Sequence, residues 1–239
     1  QRAAHSLHEV SYRACFKPQL PRFFMERLTL PDETVYDPFM GRGTTLVEAA
    51  LCGRIPLGCD VNPLSAMLVR PRLEPPRLDE IAARLAKINF SDGDEFSEDL
   101  SAFYHPDTLK QIRALKNYLH SRHANHEMDM IDQWIRMVAI NRLSGHSPGF
   151  FSVYTMPPNQ AVSVEVQRKI NAKRDQSPPR RDVPKIIIKK SKALLKDLTL
   201  EDAQILRKSS INAKLLRGGA AHTPGLDPSS VSLVVTSPP

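Results

Sequence analysis

A strand, a glycine turn, a helix and a second strand follow one another between Thr34 and Asp60. No other stretch of the sequence limits the fold as tightly. Thr34-Val35-Tyr36 reads as a strand and runs into Asp37-Pro38-Phe39-Met40-Gly41-Arg42-Gly43-Thr44-Thr45. Leu46 to Leu51 reads as a helix that Gly53 ends, and Ile55 to Cys59 reads as a strand leading to Asp60. Two strands joined through a helix within about 25 residues make one βαβ unit, and the usual crossover sets its strands parallel.

The turn in that unit has chemical content. Glycine lets the backbone turn sharply and approach a ligand closely, and a helix start offers unpaired N–H groups to an anion. Asp60 lies 17 residues beyond Gly43, near where an acidic residue of a nucleotide-binding unit meets ribose hydroxyls. These residues point to a cofactor that contains adenosine. A plain tight turn is the competing reading, with Asp60 capping a helix, since Asn62 and Pro63 follow it.

Prolines divide the rest of the chain. Twenty of its 239 residues are Pro, and they cluster. Ahead of the unit, Leu20, Phe23, Phe24 and Leu28 fall on one face of a short amphipathic helix over Pro18 to Leu28. Behind it, Pro71, Pro75 and Pro76 predict a boundary. Helices are then expected over Leu78 to Ile88, Asp107 to His120, Met128 to Leu143, Val162 to Lys173, Lys185 to Leu198 and Leu200 to Lys208. Strand character returns at Ile211 to Leu216 and at Ser230 to Thr236. Three segments follow from this: 1–75, a mainly helical insertion over 76–210, and 211–239.

Charge narrows the partners. Thirty-three Lys and Arg against 26 Asp and Glu give a net charge of +7 and an isoelectric point near 9.4, which suits a polyanion. Arg168 to Lys196 is densest, with Arg168, Lys169, Lys173, Arg174, Arg180 and Arg181 in its first half and only Asp175 and Asp182 as acids. It is either a phosphate-binding surface or a solvated basic helix and linker. Between Arg142 and Tyr154, with His146, aromatics sit beside glycines and small polar residues. That stretch either lines a base pocket or groove contact, or packs its aromatics into the core. His120, His123 and His126 read as a solvated helix end, so no metal is expected. Three cysteines without a C-x-x-C pair fit a reducing cytoplasm rather than a disulfide framework. No stretch approaches 18 uninterrupted apolar residues, so no membrane span is expected.

Asp37 to Thr45 resembles the cofactor motif of S-adenosylmethionine-dependent DNA methyltransferases acting on exocyclic amines, the cytosine-N4 and adenine-N6 family. Phe16-Lys17-Pro18, with the helix to Leu28, is similar to that family's segment packing over the cofactor. Gly58 to Pro63 resembles its acidic ribose-binding motif. The resemblance implies that Gly41 and Gly43, with Asp37, Pro38, Phe39, Thr44 and Thr45, cradle the methionine part. Asp60, with Asn62 beside it, would hold the ribose.

Val234-Val235-Thr236-Ser237-Pro238-Pro239 resembles the same family's catalytic signature, which an aromatic residue completes. An exocyclic amine is a poor nucleophile because its lone pair is delocalised into the ring. Acceptors aimed at its two hydrogens, here the Ser237 side chain and the Pro238 carbonyl, make that pair available, and Pro-Pro fixes the carbonyl in space. Ser in the first position leans toward cytosine, Asn or Asp toward adenine. In place of the family's G-D-A-like step, expected to contact adenine, the sequence reads Gly218-Gly219-Ala220.

The expectation is an α/β protein: a Rossmann-type methyltransferase sheet with a helical insertion that carries target recognition. Its reaction would be methyl transfer to N4 of cytosine in a base flipped out of double-stranded DNA. The alternatives are adenine N6, or a DNA-binding protein of the same fold without catalysis. A cognate restriction endonuclease is a conceivable partner. A sheet that ends at the catalytic motif lacks its far half, so an incomplete view of the protein is expected.

Overall fold

A computed structural model describes residues 4–12, 16–93, 100–145, 147–155, 162–223 and 225–238. The chain divides into two compact units, one made of 1–75 with 194–239 and the other of 76–193.

The first unit is built on a four-stranded parallel sheet. Its strands are β1 (Thr34–Asp37), β2 (Ile55–Asp60), β3 (Lys214–Arg217) and β4 (Leu233–Val234), in the order β3-β2-β1-β4. Asp37 stands opposite Gly58, and Asp60 opposite Arg217. Successive residues of a strand face opposite sides, and β1 uses both faces. Val35 packs with Met25, Ala49, Leu233 and Val235 on one side, and Tyr36 with Leu57, Cys59, Leu216, Leu226 and Val231 on the other.

Helix α1 (Gln19–Leu28) precedes the sheet, α2 (Thr44–Leu51) joins β1 to β2, and α3 (Pro63–Leu73) follows β2. Every residue of α2 is buried, as for a helix enclosed on all sides. Helix α3 runs on through Pro71, where the sequence predicts a break. Pro71 brings no N–H for the carbonyl of Met67; the Nε of the next residue, Arg72, donates separately to the Leu68 carbonyl (2.8 Å). The face of α1 also differs from expectation. Pro21 and Met25 are buried, whereas Leu20, Phe23, Phe24 and Leu28 are exposed.

The second unit is helical among its described residues: α4 (Leu78–Ala86), α5 (Pro106–Ala124), α6 (Met130–Arg142), α7 (Val164–Lys173) and α8 (Val183–Leu194). Ile81, Leu85, Leu115, Trp134, Ile135 and Val138 are buried at helical spacing. Phe150 and Phe151 are buried as well, which decides for core packing of those two aromatics. Residues 194–210 belong to the first unit rather than to the insertion, because α9 (Leu200–Ser210) packs against α2, α3 and β2. The strand expected from Ile211 begins at Lys214, and that expected over Ser230 to Thr236 is limited to Leu233–Val234.

Candidate cofactor and amine site

The glycine turn starts where β1 ends. Gly41 (φ 48°) and Gly43 (φ 77°) both adopt the left-handed region, where a side chain is strained. Space enforces the same choice at Gly43, since an added Cβ would stand 2.3 Å from Cγ2 of Val69 on α3. The turn is tied to β2 by two bonds. Met40 N–H donates to the Cys59 carbonyl (3.1 Å), and Gly41 N–H donates to Oδ2 of Asp60 (2.8 Å). The other Asp60 oxygen accepts from Asn62 N–H (2.8 Å). Asn62, not Asp60, caps α3, through the N–H of Leu64 (3.0 Å). No side chain caps the start of α2, so its first-turn N–H groups face the turn without a side-chain partner.

Three residues that the sequence did not single out hold this turn. Arg72 is fully buried on α3 and donates to the carbonyls of Leu7 and Arg42. Burial lowers its guanidinium to about 9. Arg42 itself reaches the Val10 carbonyl (2.9 Å). Tyr12 lies against Gly41, 3.3 Å from where a Cβ would stand, and its hydroxyl accepts from Asn62 Nδ2 (3.3 Å). Segment 7–12 is thereby stitched over both motifs.

The terminal motif stands beside the same turn. β4 pairs with β1 on the side away from β2, so β1 is where the strand order changes direction. Ligands of open α/β sheets bind at such a point, outside the carboxyl ends of the strands. Val235 N–H continues the ladder onto the Tyr36 carbonyl (3.0 Å), and the Thr45 hydroxyl donates to the Val235 carbonyl (3.1 Å). Thr236 then donates to Oδ1 of Asp37 (2.6 Å), which also accepts from Phe39 N–H (3.0 Å). Burial pushes the Asp37 carboxyl above the ordinary value of 3.8, against the pull of the Thr236, Phe39 and Thr45 donors. Ser237 and Pro238 are exposed at this edge; Pro239 lies outside the described residues.

On the other side, the loop after β3 reaches Asp60. Gly218 N–H donates to the Asp60 carbonyl (3.2 Å), and the Gly218 carbonyl accepts from Cys59 Sγ (3.3 Å). Gly218-Gly219-Ala220 therefore stands next to the acidic residue. Among residues 16–18, Phe16 is half-buried, Lys17 is exposed and Pro18 is buried. Pro18 lines a cleft with Arg22, Glu48, Leu51 and Asp202, so Tyr12 rather than Pro18 is the N-terminal residue against the glycines.

The basic residues fall on different parts of the second unit. Arg168, Lys169 and Lys173 are exposed on α7, and the Arg174 guanidinium stacks on the half-exposed Tyr154 ring at 3.6 Å. Arg142 is buried, with its guanidinium 4.1 Å over Phe150. Arg180 is exposed and Arg181 half-buried; His146 lies outside the described residues. Among the described residues, no three His, Cys, Asp or Glu side chains are arranged to hold a metal ion, and no helix is long and apolar enough to cross a membrane.

Parts of the chain are similar to known proteins. Residues 1–66 match the family model described as DNA methylase. The Type II methyltransferase M.MvaI of Kocuria varians is 31% identical over 128 residues, covering 52% of this chain and 25% of that protein. The Type II methyltransferase M.MjaII of Methanocaldococcus jannaschii is 34% identical over 70 residues, covering 29% of this chain and 13% of that protein. The chain thus spans a quarter or less of the length of these curated relatives, and no solved structure matches it. Residues 1–66 are thus similar to the DNA methylases, whose methyl donor is S-adenosylmethionine, and the longer stretches are similar to two Type II methyltransferases.

Proposed function

We propose that the first unit binds S-adenosylmethionine and methylates an exocyclic amine of DNA, the N4 amine of a cytosine turned out of the duplex. The observation that carries this reading is the 2.6 Å bond from Thr236 to Asp37, which joins Thr236-Ser237-Pro238 to the strand that opens the glycine turn. The parallel order β3-β2-β1-β4 supports a Rossmann-type methyltransferase sheet. The insertion, 76–193, would carry target recognition on double-stranded DNA.

The residues fit the cofactor. No side chain can occupy the turn at Gly43, and no side chain caps the start of α2 in competition with a carboxylate. Each Asp60 oxygen accepts one backbone N–H and retains a lone pair, enough for the two ribose hydroxyls. Asp37, Pro38, Phe39, Thr44 and Thr45 would surround the methionine end, and Asn62 would fix the Asp60 loop. When bound, the cofactor supplies a methyl group activated by a sulfonium. The Ser237 hydroxyl and the Pro238 carbonyl, which Pro239 would help fix in place, would accept hydrogen bonds from the two amine hydrogens and free the nitrogen lone pair. As the nitrogen–methyl bond formed, the methyl–sulfur bond would break to leave a neutral thioether, and one amine proton would pass to solvent. Ser in that place, rather than Asn or Asp, supports cytosine over adenine.

Deuterium-methyl S-adenosylmethionine, mixed-sequence duplex DNA and nucleoside mass spectrometry test the reading. Labelled N4-methylcytosine is the expected product, and labelled N6-methyladenine would overturn the base. Calorimetry tests the cofactor site independently. Asp60→Ala is expected to weaken S-adenosylmethionine binding at least about tenfold, the loss of one or two bonds to a charged group; unchanged affinity would remove Asp60 from the site.

A further inference from the structure

Helix α8 and the strap before it form a groove in the second unit, within the basic stretch Arg168 to Lys196. Its volume is about 660 Å³, and it is lined by Arg142, Arg180, Arg181, Lys185, Lys189 and Lys190, with Asp182 the one acid among its lining residues. The groove is held in shape from below. Arg181 N–H donates to the Thr108 hydroxyl (2.7 Å), which donates in turn to the Arg181 carbonyl (3.1 Å). Val183 N–H donates to Gln111 Oε1 (2.8 Å), and Trp134 Nε1 donates to Ser191 Oγ (2.9 Å). Val183, Ile187, Ser191 and Leu194 are buried along the inner side of α8, so its lysines face outward.

The donors suit a phosphate chain. Lys185 and Lys189 are one helical turn apart, about 6 Å along the axis, close to the spacing of adjacent phosphates on a strand. Both are exposed. The Nε of Arg181 is buried and has no hydrogen-bond partner, whereas that of Arg142 is bonded to the Asn141 carbonyl (2.9 Å). Among the groove cations, Lys185 pairs with Asp182 (3.1 Å) and Arg180 with Asp107 (3.2 Å).

We propose that this groove is a phosphate-backbone track for duplex DNA, in which Lys185, Lys189, Lys190 and Arg181 contact successive phosphates irrespective of sequence. The proposal deepens the reading of the chain as a DNA-modifying protein, and it moves the main contacts from α7 to α8. Arg168, Lys169 and Lys173 form the comparison, since they carry the same charge on α7 and line no part of the groove.

The test is fluorescence anisotropy of the full chain with a mixed-sequence duplex across a salt series. Each phosphate contact adds about 0.9 to the slope of log affinity against log salt. The Lys185→Ala, Lys189→Ala, Lys190→Ala triple variant is expected to flatten that slope by about two to three and to weaken binding at least about tenfold. Arg168→Ala, Lys169→Ala, Lys173→Ala removes equal charge and is expected to change the slope by less than about one. A Lys→Gln version of the groove triple should reproduce the Ala result and guards against a folding defect. Equal flattening by both triples, an unchanged slope in the groove variant, or no duplex binding by the unaltered chain would overturn the track. S-adenosylmethionine affinity of the groove variant, expected to be unchanged, separates failure of the track from failure of the methyl-transfer reading.

Discussion

Asp37 is held in a state that costs stability. Its carboxyl is buried and sits above its ordinary value of 3.8, so the folded chain keeps that proton longer than the unfolded one. In the interval between the two values the native state binds more protons, and stability falls as pH rises through it, then levels off. Asp37→Asn keeps an oxygen for Thr236 and Phe39 and removes the buried charge. It is expected to raise the thermal midpoint at pH 8 by about 2–4 °C and to have a smaller effect at pH 3.5, in parallel calorimetric scans. A larger gain at pH 3.5 would show that burial is not what shifts the group. Gly43 was legible for a related reason, in that no other residue type tolerates φ 77° beside Val69. Tyr12 and Arg72 were not legible, because their roles arise from contacts across 29 to 65 residues that no local pattern records.

Buried Glu48 governs how the elements of the first unit meet. It accepts from His8 Nε2 (2.7 Å) and from Arg22 Nε, one partner from each of two segments packed on α2. Burial alone would raise its carboxyl, but the bonds and charges of His8 and Arg22 outweigh that and hold it below 4.5. Burial lowers His8 from 6.5 more than Glu48 raises it. Both shifts have the same consequence: stability is lost as pH falls, from 6.5 downward for His8 and through the lowered carboxylate value for Glu48. Glu48→Ala takes the shared acceptor from buried His8 and leaves Arg22, a third exposed, with Glu26. It is expected to cost about 1–3 kcal/mol in urea unfolding at pH 7; a loss below about 1 kcal/mol would place the pair among weak surface contacts. This ion pair also explains why the period of α1 was legible and its face was not. Arg22 must turn toward Glu48, which carries Pro21 and Met25 inward and leaves Leu20, Phe23, Phe24 and Leu28 exposed. Arg54 reinforces the same rotation by donating to the carbonyls of Met25 and Thr29.

At the scale of the whole molecule, the first unit is assembled from two stretches separated by the 76–193 unit. Strand β4 has only Leu233 and Val234 in register with β1, and Leu233 and Val235 are partly buried against Val35 and Met25. The alternation Val231, Leu233, Val235 suggested a longer strand, but the ladder ends where β1 does. A chain stopped after Ser230 keeps the glycine turn and Asp60. It is expected to lose about 1–3 kcal/mol from the apolar burial of β4, to bind S-adenosylmethionine within about tenfold of the longer chain, and to transfer no methyl group. Methyl transfer by that shortened chain would overturn the role given to Ser237 and Pro238.

The central strand of the sheet takes its two neighbours at very different times. β2 reaches β1 across a short helix, whereas β4 must return from nearly 200 residues away. Closing a chain of that length costs only about (3/2)RT ln n, which grows slowly, but such contacts form late in folding. A nascent chain can therefore build the glycine turn and Asp60, the proposed cofactor half, while the proposed amine half at Ser237 and Pro238 is still unmade. On the proposed function, a partly synthesised molecule would hold S-adenosylmethionine before it could spend it on DNA.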